Sequence, residues 1–201
     1  MRRARAVATA LFGLSGLLLA GCVAPAGSVP ELAGPQLIAP EQSILQLPEE
    51  LAQARLAVRR EVRRDLLEER VVLDNDTAVA GENAIVVQTR WRGDPYHLFT
   101  SGRFANPHTS TSIDRRVERE FRGWQRVSPP LDRVNRHGPY RYIEAAADDV
   151  RCVLAWQMVD ATAALTGRVD SYALDFRFCD TRRDADALLA LFDRLELRPY
   201  L

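Results

Sequence analysis

The sequence contains no lysine, so all 27 of its basic side chains are arginine. An arginine-only set could indicate bidentate recognition of carboxylates or phosphates. The arginines are, however, scattered along the chain and mostly interleaved with acids, as on a solvated surface. We therefore favour the codon usage of a GC-rich genome as the explanation, and the absence of lysine specifies no ligand.

Residues that commonly carry catalysis or bind metals are few or unpatterned. The three histidines, His97, His108 and His137, lack zinc-ligand spacing such as His-x-x-x-His. The chain has no Gly-x-Ser-x-Gly elbow, no phosphate- or dinucleotide-binding glycine motif and no Cys-x-x-Cys pair. Glycoside hydrolysis needs two facing carboxylates, and nothing in the sequence selects a pair among the many acids. We predict no catalytic residue, no metal and no cofactor.

The one long apolar run lies at the N-terminus. Arg2, Arg3 and Arg5 precede fourteen mostly apolar residues, 6–19, which is shorter than the roughly 20 needed to span a bilayer and is typical of an export signal. The following Leu-Ala-Gly-Cys, ending at Cys22, resembles the bacterial lipobox, whose cysteine is acylated (palmitate is one such acyl group) and becomes the first mature residue. The sequence predicts a signal peptide over 1–21 and a lipid on Cys22. The alternative is an ordinary cleaved signal with an incidental cysteine.

The residue after the cysteine bears on localisation. By the rule for bacterial lipoproteins, Val23 rather than aspartate indicates an outer-membrane anchor, with the protein facing the periplasm of a Gram-negative cell. Cleavage would remove three arginines and no acid, leaving 24 basic and 27 acidic side chains, a net charge of −3. A protein that binds nucleic acid or an anionic membrane surface would normally be basic, so this charge indicates no nucleic-acid partner. The predicted contact with the membrane is through the lipid.

The exported part divides into a tether and one domain. Residues 22–47, which begin with the lipidated cysteine, are rich in proline, glycine and alanine, and we predict a flexible tether there that could extend to about 80–90 Å. Residues 48–201 are long enough for a single hydrophobic core.

Hydrophobic periodicity predicts the elements of this domain. Residues 49–73 fit either strand or helix, and we favour a strand at 54–62 and a short helix at 64–72. Further strands are predicted at 84–91, 131–136, 140–145, 150–159 and 172–179. Capping boxes at 111–114 and 181–184 predict two one-sided helices, the first with a solvated charged face over 115–122. The predicted fold is α+β, an antiparallel meander sheet with two helices packed on one face.

Two cysteines remain in the domain, and an oxidising compartment favours their pairing. Placing Cys152 opposite Cys179 in antiparallel strands puts Val153, Ala155 and Phe176 together on the other face, which makes a plausible core. The register required by a disulfide therefore also separates the sheet faces. The alternatives are two buried free thiols or, with less support, a redox-active pair.

Three aromatic side chains are candidates for an exposed platform on which sugar rings stack. Tyr140 and Tyr142 share one face of a predicted strand, and Trp156 lies opposite the predicted core face. Aromatic rings offer large contact areas at low entropic cost. A possible glycan-stacking role for these three residues is a hypothesis that the structure can test.

Four segments together resemble the BcsN family of cellulose biosynthesis proteins. They are Gly81–Asn83, Asn135–Tyr140, Cys152–Gln157 and Phe176–Asp180, with His137 standing where the family often has tyrosine. The resemblance implies an accessory envelope lipoprotein needed to make or export bacterial cellulose (an exopolysaccharide), with no established enzyme activity, cofactor or catalytic residue.

Two functions of different classes remain open. The first is a non-catalytic scaffold or glucan-contacting subunit, whose partners would be components of the cellulose synthase or secretion complex, with the cellulose chain as a further candidate. The second is an envelope enzyme, such as a polysaccharide hydrolase, with unidentified carboxylates.

Overall fold

A computed structural model gives the fold and describes residues 34–51, 54, 56–63, 65–91, 106–160 and 169–198. The predicted signal peptide, Cys22, the first part of the predicted tether and His97 lie outside the described residues. Within the described ranges, no helix is long and apolar enough to cross a membrane. The strands are β1 (Gln36–Ile38), β2 (Leu45–Gln46), β3 (Leu56–Arg63), β4 (Leu66–Leu73), β5 (Asn83–Trp91), β6 (Arg126–Val127), β7 (Leu131–Asn135), β8 (Gly138–Ala147), β9 (Val150–Asp160), β10 (Val169–Asp180) and β11 (Glu196–Leu197), and the α-helices are α1 (Ser110–Glu120) and α2 (Ala185–Asp193).

Nine of these strands form one antiparallel sheet. Its order is β1-β3-β4-β5-β10-β9-β8-β6, and β7 also pairs with β8. The sheet therefore consists of two meanders, β3 to β5 and β7 to β10, which join where β10 pairs with β5. The prediction of an antiparallel α+β domain is confirmed, as are the predicted strands from residue 84 onward, within a few residues at each end.

The cysteine register is confirmed by the pairing of β9 with β10. Cys152 lies opposite Cys179, Leu154 opposite Arg177 and Trp156 opposite Asp175. The two cysteines form a disulfide and are almost completely buried. The predicted core residues on the other face lie in one large apolar cluster, so the bridge and the separation of the faces follow from the same register.

The two helices lie on opposite faces of the sheet, and the prediction that both cover one face is wrong. The four buried apolar side chains of α2 pack in the large cluster with Val153 and Phe176. Ile113 of α1 packs in a second cluster with Leu154 and Trp156, which point the other way along β9. Both faces of β9 are apolar, so each face needs its own cover.

Both helices begin close to the predicted positions but with different caps. The N-cap of α1 is Thr109, whose side chain accepts a hydrogen bond from the Ser112 amide, rather than the predicted Thr111. The N-cap of α2 is Asp184, whose carboxylate accepts from the Ala187 amide. In each case a short polar side chain satisfies a free amide of the first turn.

The predicted short helix at 64–72 is instead strand β4. Leu67, Glu69, Val71 and Leu73 alternate toward the core, and Glu69 is only 1% exposed. A carboxylate at an inward position hid the alternation that a strand shows in sequence. The charged side chains of this strand lie on both of its faces.

The domain begins earlier than residue 48, because residues 36–47 of the predicted tether pack against it. β1 pairs with β3, β2 pairs with β11, and Ile44 and Leu45 are buried in the large cluster. The one proline of this stretch, Pro40, is compatible with that arrangement, since it begins a short 3-10 helix, where a proline is tolerated. The predicted tether, if it is flexible, can therefore extend no further than about residue 35.

Candidate functional site

The segments that carry the family resemblance contact one another as structural pairs. Asn83 donates hydrogen bonds to the carbonyls of Asp74 (2.7 Å) and Cys179 (3.0 Å) and accepts one from the Cys179 amide (2.7 Å). Arg177 donates to the carbonyls of Ala80 and Glu82, on either side of Gly81. These bonds fasten the loop before β5 to the end of β10.

A second pair joins the turn before β8 to β9. The Gln157 amide donates to Asn135 Oδ1 (2.9 Å) and to the Gly138 carbonyl (3.0 Å), and Asn135 donates back to Gln157 (3.0 Å). Gln157 is buried, and this exchange satisfies its polar atoms. His137 contacts the Leu195 carbonyl through Nε2 (3.0 Å), so it too ties the turn to the segment after α2.

The aromatic candidates for glycan stacking do not form a platform. Tyr140 is 2% exposed and donates a hydrogen bond to Asp193 (2.7 Å). Burial and this bond raise the pKa of Tyr140 above its usual value. Tyr142 is half-buried beside it, whereas Trp156 is buried in the second cluster on the opposite face. The hypothesis is therefore wrong for Tyr140 and Trp156, and the three rings do not share a surface.

A polar cleft lies on the same sheet face as α1, beside the second cluster. Its volume is about 690 Å³, within the usual range for ligand sites. Its floor comes from β3, β4, β5 and β10, and its wall comes from α1 and the residues just before it. Among the described residues that line it, the imidazole of His108 is the one aromatic ring, and there is no phenylalanine, tyrosine or tryptophan. Its lining includes the charged or amide side chains of Arg60, Glu68, Arg70, Glu82, Gln88, Arg116, Arg119, Glu120, Asp175 and Arg177.

Polar side chains run in a row across the floor of the cleft. Arg60, Glu68 and Gln88 are direct partners on β3, β4 and β5. Arg60 Nη2 lies 2.7 Å from Glu68 Oε1, and the Gln88 amide donates to Glu68 Oε2 at 2.9 Å. Direct cross-strand partners point to one face, so the row is fixed by sheet register rather than by a loop.

The wall of the cleft is an ion-pair network between α1 and β10. Arg116 pairs with Asp175 and with Glu120 (2.7 Å), and Arg177 donates to the other oxygen of Glu120 (2.9 Å). The prediction that the charged face of this helix is solvated is therefore wrong for Arg116 and Glu120, which turn toward the sheet. The two wall residues are the charged neighbours of the helix's narrow apolar stripe.

His108 lies at the edge of this network. Burial lowers the pKa of His108, because desolvation disfavours the imidazolium, while the Asp175 carboxylate acts in the opposite direction. The net effect keeps the ring neutral near pH 7. Its Nε2 is buried and has no hydrogen-bond partner among the described residues.

The acidic side chains of the cleft all contact arginines. All four of its carboxylates are paired with arginine: Glu68 with Arg60, Glu82 with Arg70, and Glu120 and Asp175 with Arg116. Glycoside hydrolysis needs a pair of carboxyl groups that flank the sugar, whereas each of these four carboxylates contacts an arginine. Within the part of the chain that the structure describes, no group of histidine, cysteine or acid side chains could hold a metal.

Sequence reasoning missed this cleft because its residues come from separate segments that only the sheet order brings together. Arg60, Glu68, Gln88 and Asp175 lie on four different strands. One signal was available: Arg60 and Glu68 fall at the outward positions of two neighbouring strands, where an ion pair across the strands is expected.

Comparison with known proteins identifies one family. The family described as "Cellulose biosynthesis protein BcsN" matches residues 45–201, which covers nearly all of the folded domain. No curated protein and no solved structure matches the chain.

Proposed function

The chain belongs to the BcsN family and takes part in cellulose biosynthesis, and from this premise we propose that it acts there as a non-catalytic accessory lipoprotein. In this proposal the domain is a scaffold that holds components of the cellulose synthase or secretion complex, or the nascent glucan, at the membrane. The observation that carries the non-catalytic part is the arginine pairing of every carboxylate in the cleft.

We further propose that the protein is anchored by a lipid on Cys22 to the outer membrane and faces the periplasm. The export signal and the lipobox-like sequence support this placement. The buried Cys152–Cys179 disulfide also supports it, because disulfides persist in oxidising compartments and are rare in the cytosol.

Gene deletion followed by complementation tests the pathway role and the anchor. We expect deletion to lower cellulose output, the wild-type gene to restore it, and Cys22→Ser to restore it poorly because the protein leaves the membrane fraction. The purified Cys22→Ser domain should keep the wild-type melting temperature. Unchanged cellulose output after deletion, under conditions in which the wild type makes cellulose, would overturn the proposal.

The non-catalytic part has its own test. The purified protein is incubated with amorphous cellulose and with cellohexaose, and new reducing ends are measured over time. We expect no release above a heat-inactivated control. Release that is abolished by Glu120→Gln or Asp175→Asn would show that the cleft is a hydrolase site.

A further inference from the structure

We propose that the cleft beside α1 binds a neutral, polyhydroxylated chain, which in this pathway is the β-linked glucan. This inference rests on the proposed function for the identity of the sugar, and on the cleft itself for the class of ligand. The structure offers three independent reasons, which concern its charge, its hydrogen-bonding groups and its floor.

The charge of the cleft is nearly balanced. Five arginines and four acids line it, and each acid already has an arginine partner. A strongly anionic or cationic ligand would have to displace these pairs. A neutral ligand can bind while the pairs stay intact, so the balance favours a chain without charge.

The hydrogen-bonding groups are matched to hydroxyls. A guanidinium only donates and a carboxylate only accepts, whereas a hydroxyl donates one bond and accepts two. In the row formed by Arg60, Glu68 and Gln88, donors and acceptors alternate across three strands. Successive hydroxyls along a sugar chain can each find a complementary group in such a row, and bonds to charged partners are the stronger ones.

The floor between the polar groups is small and apolar. Ala84, Val86 and Ala173 line it, on the central strands β5 and β10. Ala84 and Ala173 are almost completely buried, so Val86 is the one of the three that the C–H face of a pyranose ring would contact. Since no phenylalanine, tyrosine or tryptophan ring lines the described part of the cleft and His108 supplies its one aromatic ring, we expect weak binding of a chain that passes through rather than tight capture.

The test measures cellohexaose binding to the purified full chain by NMR titration, in a detergent without a sugar headgroup. Arg60→Ala and Glu68→Gln each remove one charged partner from the row. Arg141→Ala is the matched control, because Arg141 also pairs with an acid across two strands, is 51% exposed against 53% for Arg60, and lies outside the cleft. Melting temperatures establish that all variants are folded.

We expect cellohexaose to bind the wild type in the millimolar range and both cleft variants to bind about tenfold more weakly, which is the loss for one charge-assisted hydrogen bond. Arg141→Ala should bind as the wild type does. Binding should change little with salt, as befits a neutral ligand. No detectable binding, or equal losses in Arg60→Ala and Arg141→Ala, would overturn the proposal. Salt-sensitive binding of hexaglutamate in place of cellohexaose would overturn it in favour of an acidic protein partner.

Complementation separates this inference from the proposed function. If Arg60→Ala and Glu68→Gln bind cellohexaose as the wild type does and restore cellulose output fully, the cleft proposal fails and the accessory role stands. If deletion of the gene leaves cellulose output unchanged, the accessory role fails even though the purified protein binds cellohexaose.

Discussion

The buried carboxylate of Glu69 should decide whether residues 36–47 stay docked on the domain. Its Oε2 accepts hydrogen bonds from the Ser43 hydroxyl (2.7 Å) and the Ile44 amide (2.9 Å). Its Oε1 accepts from Arg59 Nε (2.7 Å), and Arg59 also donates to the Gln42 carbonyl (2.9 Å). Glu69→Ala would remove the acceptor that joins the N-terminal segment to β4.

The expected cost of Glu69→Ala can be worked from these contacts. Breaking a buried ion pair by removing one partner costs about 3–5 kcal/mol, and the partial exposure of Arg59 argues for the lower end, about 3 kcal/mol. A domain of this size loses about 2–4 °C per kcal/mol, so we expect the melting temperature to fall by about 6–12 °C. Glu69→Gln keeps one acceptor and should cost less.

Thermal unfolding and hydrogen exchange measured by mass spectrometry test this reasoning together. Amides of residues 36–47 should exchange faster in Glu69→Ala, whereas those of β9 and β10 should keep their relative protection. Glu118→Ala is the control, since that acid is 66% exposed and its pair with Arg122 should contribute less than about 1 kcal/mol. If Glu69→Ala left both the melting temperature and the exchange at 36–47 unchanged, the docking role would be refuted.

Three further predictions concern the bridge, the buried histidine and one glycine. Replacing Cys152 and Cys179 together by alanine should lower the free energy of unfolding by about 3.5 kcal/mol, because the bridge spans 27 positions of the chain. Calorimetry of this variant and the oxidised wild type would detect the difference, and an unchanged melting temperature would contradict the prediction. Stability to urea should fall as the pH drops below about 6.5, because the His108 side chain takes up a proton in the unfolded chain more readily than in its buried folded position. His108→Gln should flatten that part of the plot of stability against pH, and parallel plots for the variant and the wild type would count against this prediction. Gly81→Ala should destabilise the domain by about 1–2 kcal/mol, since the φ of Gly81 is +98° and a Cβ there would lie 3.2 Å from the guanidinium of Arg177. Gly34→Ala should have little effect on thermal unfolding, and equal effects of the two substitutions would refute the claim of backbone strain at Gly81.

The sheet centre could be predicted from sequence because several constraints agree there. In β9 and β10, alternation, turn signals and the two cysteines all require one register, and the pairing of Cys152 with Cys179 satisfies each of them. The disulfide also distinguishes that register from a slip by one residue, which would turn every side chain to the wrong face.

The cleft and the docked segment could not be predicted, because ion pairs look alike in sequence whether they are buried or solvated. Arg116 and Glu120 on α1 face the sheet, whereas Glu118 of the same helix forms an exposed pair with Arg122, just beyond the end of the helix. Both pairs have the same spacing of four residues. Glu69 likewise has the character of a surface residue in the sequence, and only the structure shows that residues 36–47 pack over it.

The docking of residues 36–47 sets how far the domain can travel from a lipid on Cys22. Because β1 pairs with β3 at the edge of the sheet, only residues 23–35 would link a lipid on Cys22 to the domain. A fully extended chain of that length reaches about 50 Å, compared with the roughly 80–90 Å expected for the predicted tether. If Cys22 carries the proposed lipid, the β1 edge of the sheet stays within about 50 Å of the bilayer. This shorter reach limits how far from that membrane the domain could meet a partner.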